Sequence, residues 1–303
     1  MNEKKMTRRL SYPYIVWMAI FVIVPLIIVC IYGLTDKTGA FTLENVKSIA
    51  SPVHLKALFL SLKLSIISTV LCFVLALPLA LVIRGMHLKS SGFIIFVFIL
   101  PMWMNFLLRT IAWQSLLEKT GVINMILQSI GLPKQNLINT EGAIILGMIY
   151  NFLPFMVLPI YNSLIKIPQD TFDAAKDLGA NWIQTLWRIT LPQILPGIVS
   201  GITMVFVPAM TTFVISNLLG GAKINLIGNV IEQEFTTANN WYGGAGLSIV
   251  LMILILGSRT LIKRERGLRY GRKSPGKNQR KDLSCLDFYL FVRPDRDTHC
   301  VVI

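Results

Sequence analysis

Between positions 173 and 192 the chain reads DAAKDLGANWIQTLWRITLP, a polar stretch inside an otherwise apolar sequence. Its residue types suit docking rather than bond making. Asp170 or Thr171 can cap a short helix, Asp173 sits in its first turn, where a carboxylate meets the positive dipole end, and Gly179 can supply the left-handed residue that stops it. Asn181 and Gln184 have the spacing of a capping box for a second helix, with Trp182, Leu186 and Ile189 on one face and Pro192 barring simple continuation. The small side chains of Ala174 and Ala175, followed by Gly179, would let another protein's groove approach the backbone closely. The same residues also fit an ordinary loop with helical turns, and local chemistry leaves both readings open. Catalysis has no visible seat. The chain has no G-x-x-x-x-G-K-S/T phosphate loop, no H-E-x-x-H and no G-x-S-x-G, and His54, His87 and His299 stand apart from one another. We therefore expect no catalytic residues, no metal site and no cofactor, and any ATP hydrolysis must come from another subunit.

The elements around this stretch are set by composition. With 303 residues, 54% hydrophobic and 15% charged, and a mean hydropathy of +0.63, the chain is too apolar for one soluble core and reads as an integral membrane protein. Stretches without Asp, Glu, Lys or Arg run over 10–35, 64–83, 90–108, 142–165, 189–222 and 235–258. Each reaches the roughly 17–20 residues that a helix needs to cross about 30 Å of hydrocarbon, which predicts six spans. With the N-terminus inside, 21 of the 29 Lys and Arg residues fall on inner segments: Lys4, Lys5, Arg8, Arg9, Arg84, Lys89, Lys166, Lys176, Arg188 and twelve from Arg259 onward. That bias places both termini and the 173–192 stretch in the cytoplasm.

The net charge of +14 does not signal nucleic acid. Nine basic residues lie between Lys263 and Lys281 against Glu265 alone, a juxtamembrane cluster that fixes topology and is attracted to anionic lipid by about 1 kcal/mol per residue. Cys30 and Cys72 lie within spans as small apolar residues, and Cys285 and Cys300 lie in a reducing compartment, so no disulfide or metal site is expected. The first span is too long, and lacks a small-residue cleavage pattern, for a cleaved signal peptide.

The spacing in 173–192 resembles the EAA loop of permease subunits in bacterial ATP-binding-cassette importers. Its fixed positions correspond here to Asp173, Ala174, Ala175, Gly179, Ile189, Leu191 and Pro192, with Asp where Glu is usual, and Ala180 directly follows the glycine. In that family the loop sits in a cleft of the ATPase subunit and couples it to the membrane helices. A wider resemblance, over roughly residues 10–264, is to PotB-type permeases of spermidine/putrescine importers. It is carried by LPMWMNFLLRTIAW (100–113), GMIYNFLPFMVLPIYNSL (147–164), LPGIVSGITMVFVPAM (195–210) and GNVIEQEFTTANNWYGGAGLS (228–248). The resemblance implies an all-α, six-helix membrane protein of the type I importer permease (MetI-like) fold in the bacterial inner membrane. It further implies a homologous second permease, two copies of a cytoplasmic ATPase subunit and an extracytoplasmic substrate-binding protein as partners. The expected organisation is a cytoplasmic N-terminus (1–10), a permease domain (11–264, coupling loop 166–192) and a basic, disordered tail (265–303).

A polyamine cargo is a chain of ammonium groups, which carboxylates, amide oxygens and aromatic faces can accompany. Candidates on the expected outer side are Glu141, Glu232 and Glu234, with Trp103, Asn105, Trp113, Trp241 and Tyr242 near the membrane boundary. Interfacial Trp and Tyr also occur as a belt in membrane proteins of any function. A permease for another small cation or organic solute fits the same sequence. A secondary transporter fits it poorly, because ionisable coupling groups are missing from all six stretches, and a membrane enzyme would need a catalytic cluster that no loop supplies.

Overall fold

The computed structural model describes residues 12–14, 16–85, 96, 100–221 and 223–270, with backbone alone for the last stretch from 261. Among these, five helices are long and apolar enough to span a membrane: Tyr12–Leu34 (α1), Pro52–Gly85 (α2), Glu141–Leu164 (α5), Trp182–Thr211 (α7) and the Trp241–Ser258 part of Trp241–Tyr270 (α10). Shorter helices are Phe106–Leu117 (α3), Val122–Ser129 (α4), Gln169–Asp177 (α6), Val214–Gly220 (α8) and Ile227–Thr236 (α9). The expected third span, 90–108, lies outside the described residues at 90–95 and 97–99; at its described end Asn105 caps α3 after a short 3-10 turn, Leu100–Trp103. The expected N-terminal segment 1–10, the tail beyond residue 270, His87, His299, Cys285 and Cys300 also lie outside them.

Two expected boundaries move for a physical reason. Helix α2 begins at Pro52 rather than at 64, because Lys56 and Lys63 interrupt the apolar run without interrupting the helix. Proline suits that first position, where its missing N–H is not needed. The expected span 189–222 is instead α7 and α8, separated where Thr212 turns to extended backbone.

Helices α2, α5 and α7 form the packed centre. Leu64, Cys72, Ala76 and Ala80 of α2 meet Ile144, Met148, Met156 and Ile160 of α5 and Ile194, Ile198 and Val205 of α7, all buried. Lipid gives helices no hydrophobic reason to associate, so contact relies on close fit and small residues. Gly197 and Gly201 supply it on α7. A Cβ at Gly197 would collide with the Pro159 carbonyl oxygen, and one at Gly201 would lie 2.7 Å from Met156 Sδ. On α2 the buried face is Ser61, Ser65, Ser68, Thr69 and Cys72. Their hydroxyls are satisfied: Thr69 donates to the Ser65 carbonyl, Ser68 approaches Met148 Sδ at 3.2 Å, and Ser61 accepts from the Ile227 N–H at 2.7 Å. A second cluster joins Ala57, Met210, Ile227, Val230, Leu247 and Leu251, which seats α10 against α2, α7 and α9. Helix α1 is largely unburied by this chain, apart from Gly33, whose Cβ position meets Ile249 and Ala245 of α10.

Candidate functional site

The 173–192 stretch forms a hairpin between α6 and α7. Helix α6 starts one residue before the expected cap: Pro168 is its N-cap, without a side-chain hydrogen bond, and Asp170 lies inside the first turn. Proline's fixed φ already sets the entry geometry, so neither Asp170 nor Thr171 has to cap. Gly179 does end the helix, with φ +76°. The Ala180 N–H donates to the Ala175 carbonyl at 3.0 Å and the Gly179 N–H to the Lys176 carbonyl at 2.9 Å, the two bonds of a Schellman close. No atom lies within 4 Å of the Cβ position at Gly179, so its glycine answers the backbone angle and not crowding by this chain.

The second turn opens with the expected capping box. Asn181 Oδ1 accepts from the Gln184 N–H at 2.8 Å and Gln184 Oε1 accepts from the Asn181 N–H at 3.0 Å. Pro192, however, does not stop this helix. A π turn at Leu186–Thr190 precedes it, in which the Leu191 N–H reaches back to the Leu186 carbonyl, and the helix then continues to Thr211. The wide turn loosens the ladder where the proline ring would otherwise press on the Arg188 carbonyl. The second arm of the hairpin is thus the first turns of the long apolar helix α7.

Ala175 is buried, Ala180, Ile189 and Leu191 are half-buried, and Asp173, Ala174, Gly179 and Pro192 are exposed. Asp173 accepts a hydrogen bond from Gln169 Nε2 at 3.3 Å. The exposed surface of the hairpin is markedly apolar: Leu178 is 88% exposed, Trp182 70%, Trp187 66% and Ile183 59%. Leu178, Ile183 and Trp187 escaped the sequence reading, although their density in a short polar stretch was the available signal. Arg84 also escaped it. From the last turn of α2 its guanidinium donates to the Ile167 carbonyl at 2.8 Å and lies 4.0 Å over the Phe172 ring.

At the opposite end of the bundle the expected substrate-path residues are scattered. Trp103 is exposed, with Phe96 edge-on at 6.0 Å. Asn105 caps α3 by accepting from the Leu107 N–H at 2.8 Å. Trp113 packs edge-on to Tyr150 at 5.3 Å, and Arg109, buried on α3, lies 5.8 Å over the same Tyr150 ring. Glu141 is paired with Lys63 at 2.7 Å. Only Glu232, Glu234, Trp241 and Tyr242 come together, around the turn from α9 to α10. There Glu232 accepts from Thr236 Oγ1, Glu234 accepts from Asn240 Nδ2 at 2.8 Å, Trp241 Nε1 donates to Asn239 Oδ1 at 2.9 Å, and Tyr242 meets Tyr32 edge-on. None of the eight lines the nearby polar basin of about 500 Å³, whose walls include Gln114, Glu118, Lys119, Asn139 and Lys223. Among the described residues no group of three His, Cys, Asp or Glu is placed to hold a metal ion.

Comparison with known proteins fits this architecture. The family model described as binding-protein-dependent transport system inner membrane component matches residues 1–263. The chain is 35% identical over 247 residues to the spermidine/putrescine transport system permease protein PotB of Haemophilus influenzae, covering 79% of this chain and 86% of that one. It is 36% identical over 247 residues to the PotB protein of Escherichia coli, covering 79% and 90%. Among solved structures, a chain from a bacterial ABC transporter involved in the import of the acidic polysaccharide alginate superposes with a TM-score of 0.73 at 20% identity, covering 86% of this chain and 95% of that chain, a likeness of fold. A helical bundle with a capped hairpin at one end is thus accounted for: the chain belongs to the family of binding-protein-dependent transport system inner membrane components, as a multi-pass inner-membrane permease and, like its relatives, not an enzyme.

Proposed function

We propose that this chain forms part of the translocation path of an ATP-driven importer for polyamines of the spermidine and putrescine class, and that the 173–192 hairpin couples it to the ATPase. The observation that carries the coupling role is the exposed apolar tip, Leu178, Trp182, Ile183 and Trp187, held on a doubly capped turn that runs unbroken into α7. Bare apolar surface of this kind marks a protein contact. The polyamine assignment is supported by the names of the relatives in Haemophilus influenzae and Escherichia coli.

In the assembled transporter a second, homologous permease faces this one, two ATPase subunits sit beneath them, and a loaded binding protein docks on the outer loops. Both termini and the hairpin are cytoplasmic, where ATP is. Residues 1–10 form a short inner segment, 11–264 the permease domain and 265–303 a basic cytoplasmic tail. ATP closes the ATPase pair, and the hairpin carries that closure into the helices rooted beside it. It transmits work only if it binds the open and closed ATPase states in different geometries. The cargo side uses some of Trp103, Asn105, Trp113, Glu141, Glu232, Glu234, Trp241 and Tyr242.

Reconstitution with the partner subunits tests this reading. Spermidine should enter vesicles only with ATP and binding protein present. Gly179→Val, which forces a β-branched residue into φ +76°, should leave the complex assembled and remove substrate-stimulated hydrolysis and uptake. Uptake by this chain without ATP or companions would overturn the proposal.

A further inference from the structure

We infer that Arg84 is a positioning residue that makes the hairpin drive α2 as well as its sequence neighbours α5 and α7, an inference that rests on the coupling role proposed above. The root of α6 has no side-chain cap of its own, since its N-cap is Pro168. Arg84, 83 residues away in sequence, supplies the tie from another helix: one guanidinium both donates to the Ile167 carbonyl and covers the Phe172 ring of α6. A planar guanidinium stacks flat on a ring while its N–H groups donate in the plane, an arrangement that a compact ammonium reproduces only in part. The joint sits at the edge of the core, with Ile83 and Ile167 buried on either side of it and Arg84 itself half-buried, so it is anchored to packed helix and partly screened from water. Charge-assisted bonds are stronger in such a place.

What Arg84 is attached to can move. Pro78, six residues earlier, leaves out one backbone hydrogen bond of α2 and makes the segment from 78 to 85 a lever. Beside that lever is an open apolar crevice of about 400 Å³, walled by Leu77, Pro78, Leu81 and Val82 on one side and Trp182 and Leu186 on the other. Displacement of α6 by the ATPase pulls Arg84 with it and swings the lever across the crevice towards α7. The hairpin therefore has three outputs, two through the chain itself and one through this contact.

The test uses the assembled transporter in vesicles, with Gly179→Val as the control for coupling itself. Arg84→Met keeps the apolar stem and removes donor and charge, while Phe172→Leu removes only the ring. Each should lower the cargo moved per ATP by at least about fivefold, the lower end of an ordinary coupling effect. The double variant should be no worse than the worse single, because both changes break one joint. Arg84→Lys should recover part of the loss. Labels on cysteines placed at Val82 and Trp182, in a background without the native cysteines, should change separation on ATP binding in the parent and not in Arg84→Met. Normal stoichiometry in Arg84→Met and Phe172→Leu while Gly179→Val uncouples would overturn the joint and spare the coupling reading. Loss of coupling in none of the three would overturn both. If Arg84→Met fails to assemble, Phe172→Leu decides alone: lowered stoichiometry supports the joint and a normal value overturns it. A label separation that ATP does not change in the parent overturns the lever.

Discussion

The two ends of the bundle satisfy themselves differently. At the α9–α10 end, charged and aromatic side chains pair among themselves: Glu141 with Lys63, Glu234 with Asn240, Tyr242 with Tyr32 and Trp241 with Phe235. At the hairpin end Asn181 and Gln184 are consumed by local capping, while Leu178, Trp182, Ile183 and Trp187 are left bare. The first end exposes large apolar side chains too, among them Trp103 and Trp241, so what sets it apart is the pairing of its polar groups. In the coupling role proposed above the hairpin end docks on the ATPase subunit, and its affinity there should reside in a few large apolar side chains, as at other protein contacts.

The contrast can be broken most directly at Leu178. Leu178→Asp places a charge in the proposed contact and should weaken association with the ATPase subunit about tenfold or more. Unchanged binding in a pull-down titration would show that the bare tip is not the contact. A smaller effect is expected from Asn181→Ala, which removes one half of the capping box. It should destabilise the start of α7 by about 1 kcal/mol, read as faster hydrogen exchange at the Gln184 amide; an unaltered rate would mean that the cap is held by something else. The smallest is Lys63→Ala at the self-paired end. That pair is 56% and 43% exposed, so its loss should cost less than about 1 kcal/mol and scarcely move the melting temperature. A large drop would show that the opposite end is not as self-contained as its pairing implies.

The hairpin was legible in the sequence because its geometry is local. Gly179 needs a left-handed backbone and Asn181 bonds a residue three positions on, and neither depends on distant parts of the chain. The spans were legible as apolar runs but their ends were not. Lys56 and Lys63 hide the first three turns of α2, since hydropathy registers their charge while the helix only needs their backbone. Pro192 reads as a breaker because the π turn that accommodates it has no signature in residue type. The division at Thr212 lacks a charge or a proline to announce it. The Arg84 contact was beyond reach for a different reason: it joins residues more than eighty positions apart, and one sequence carries no record of such a meeting. The substrate-path candidates were chosen by chemical type alone, and type does not say that Asn105 is occupied as a cap or that Glu141 already has a cation.

The wide turn at Leu186–Thr190 makes chain length itself a functional quantity. It fixes the angle between the hairpin tip and the buried stripe of Ile194, Gly197 and Gly201. One residue fewer would rotate one relative to the other by about 100°. Deletions here should therefore be tolerated far less well than exchanges of side chain, and related permeases that have kept the turn should have kept the count of residues across it.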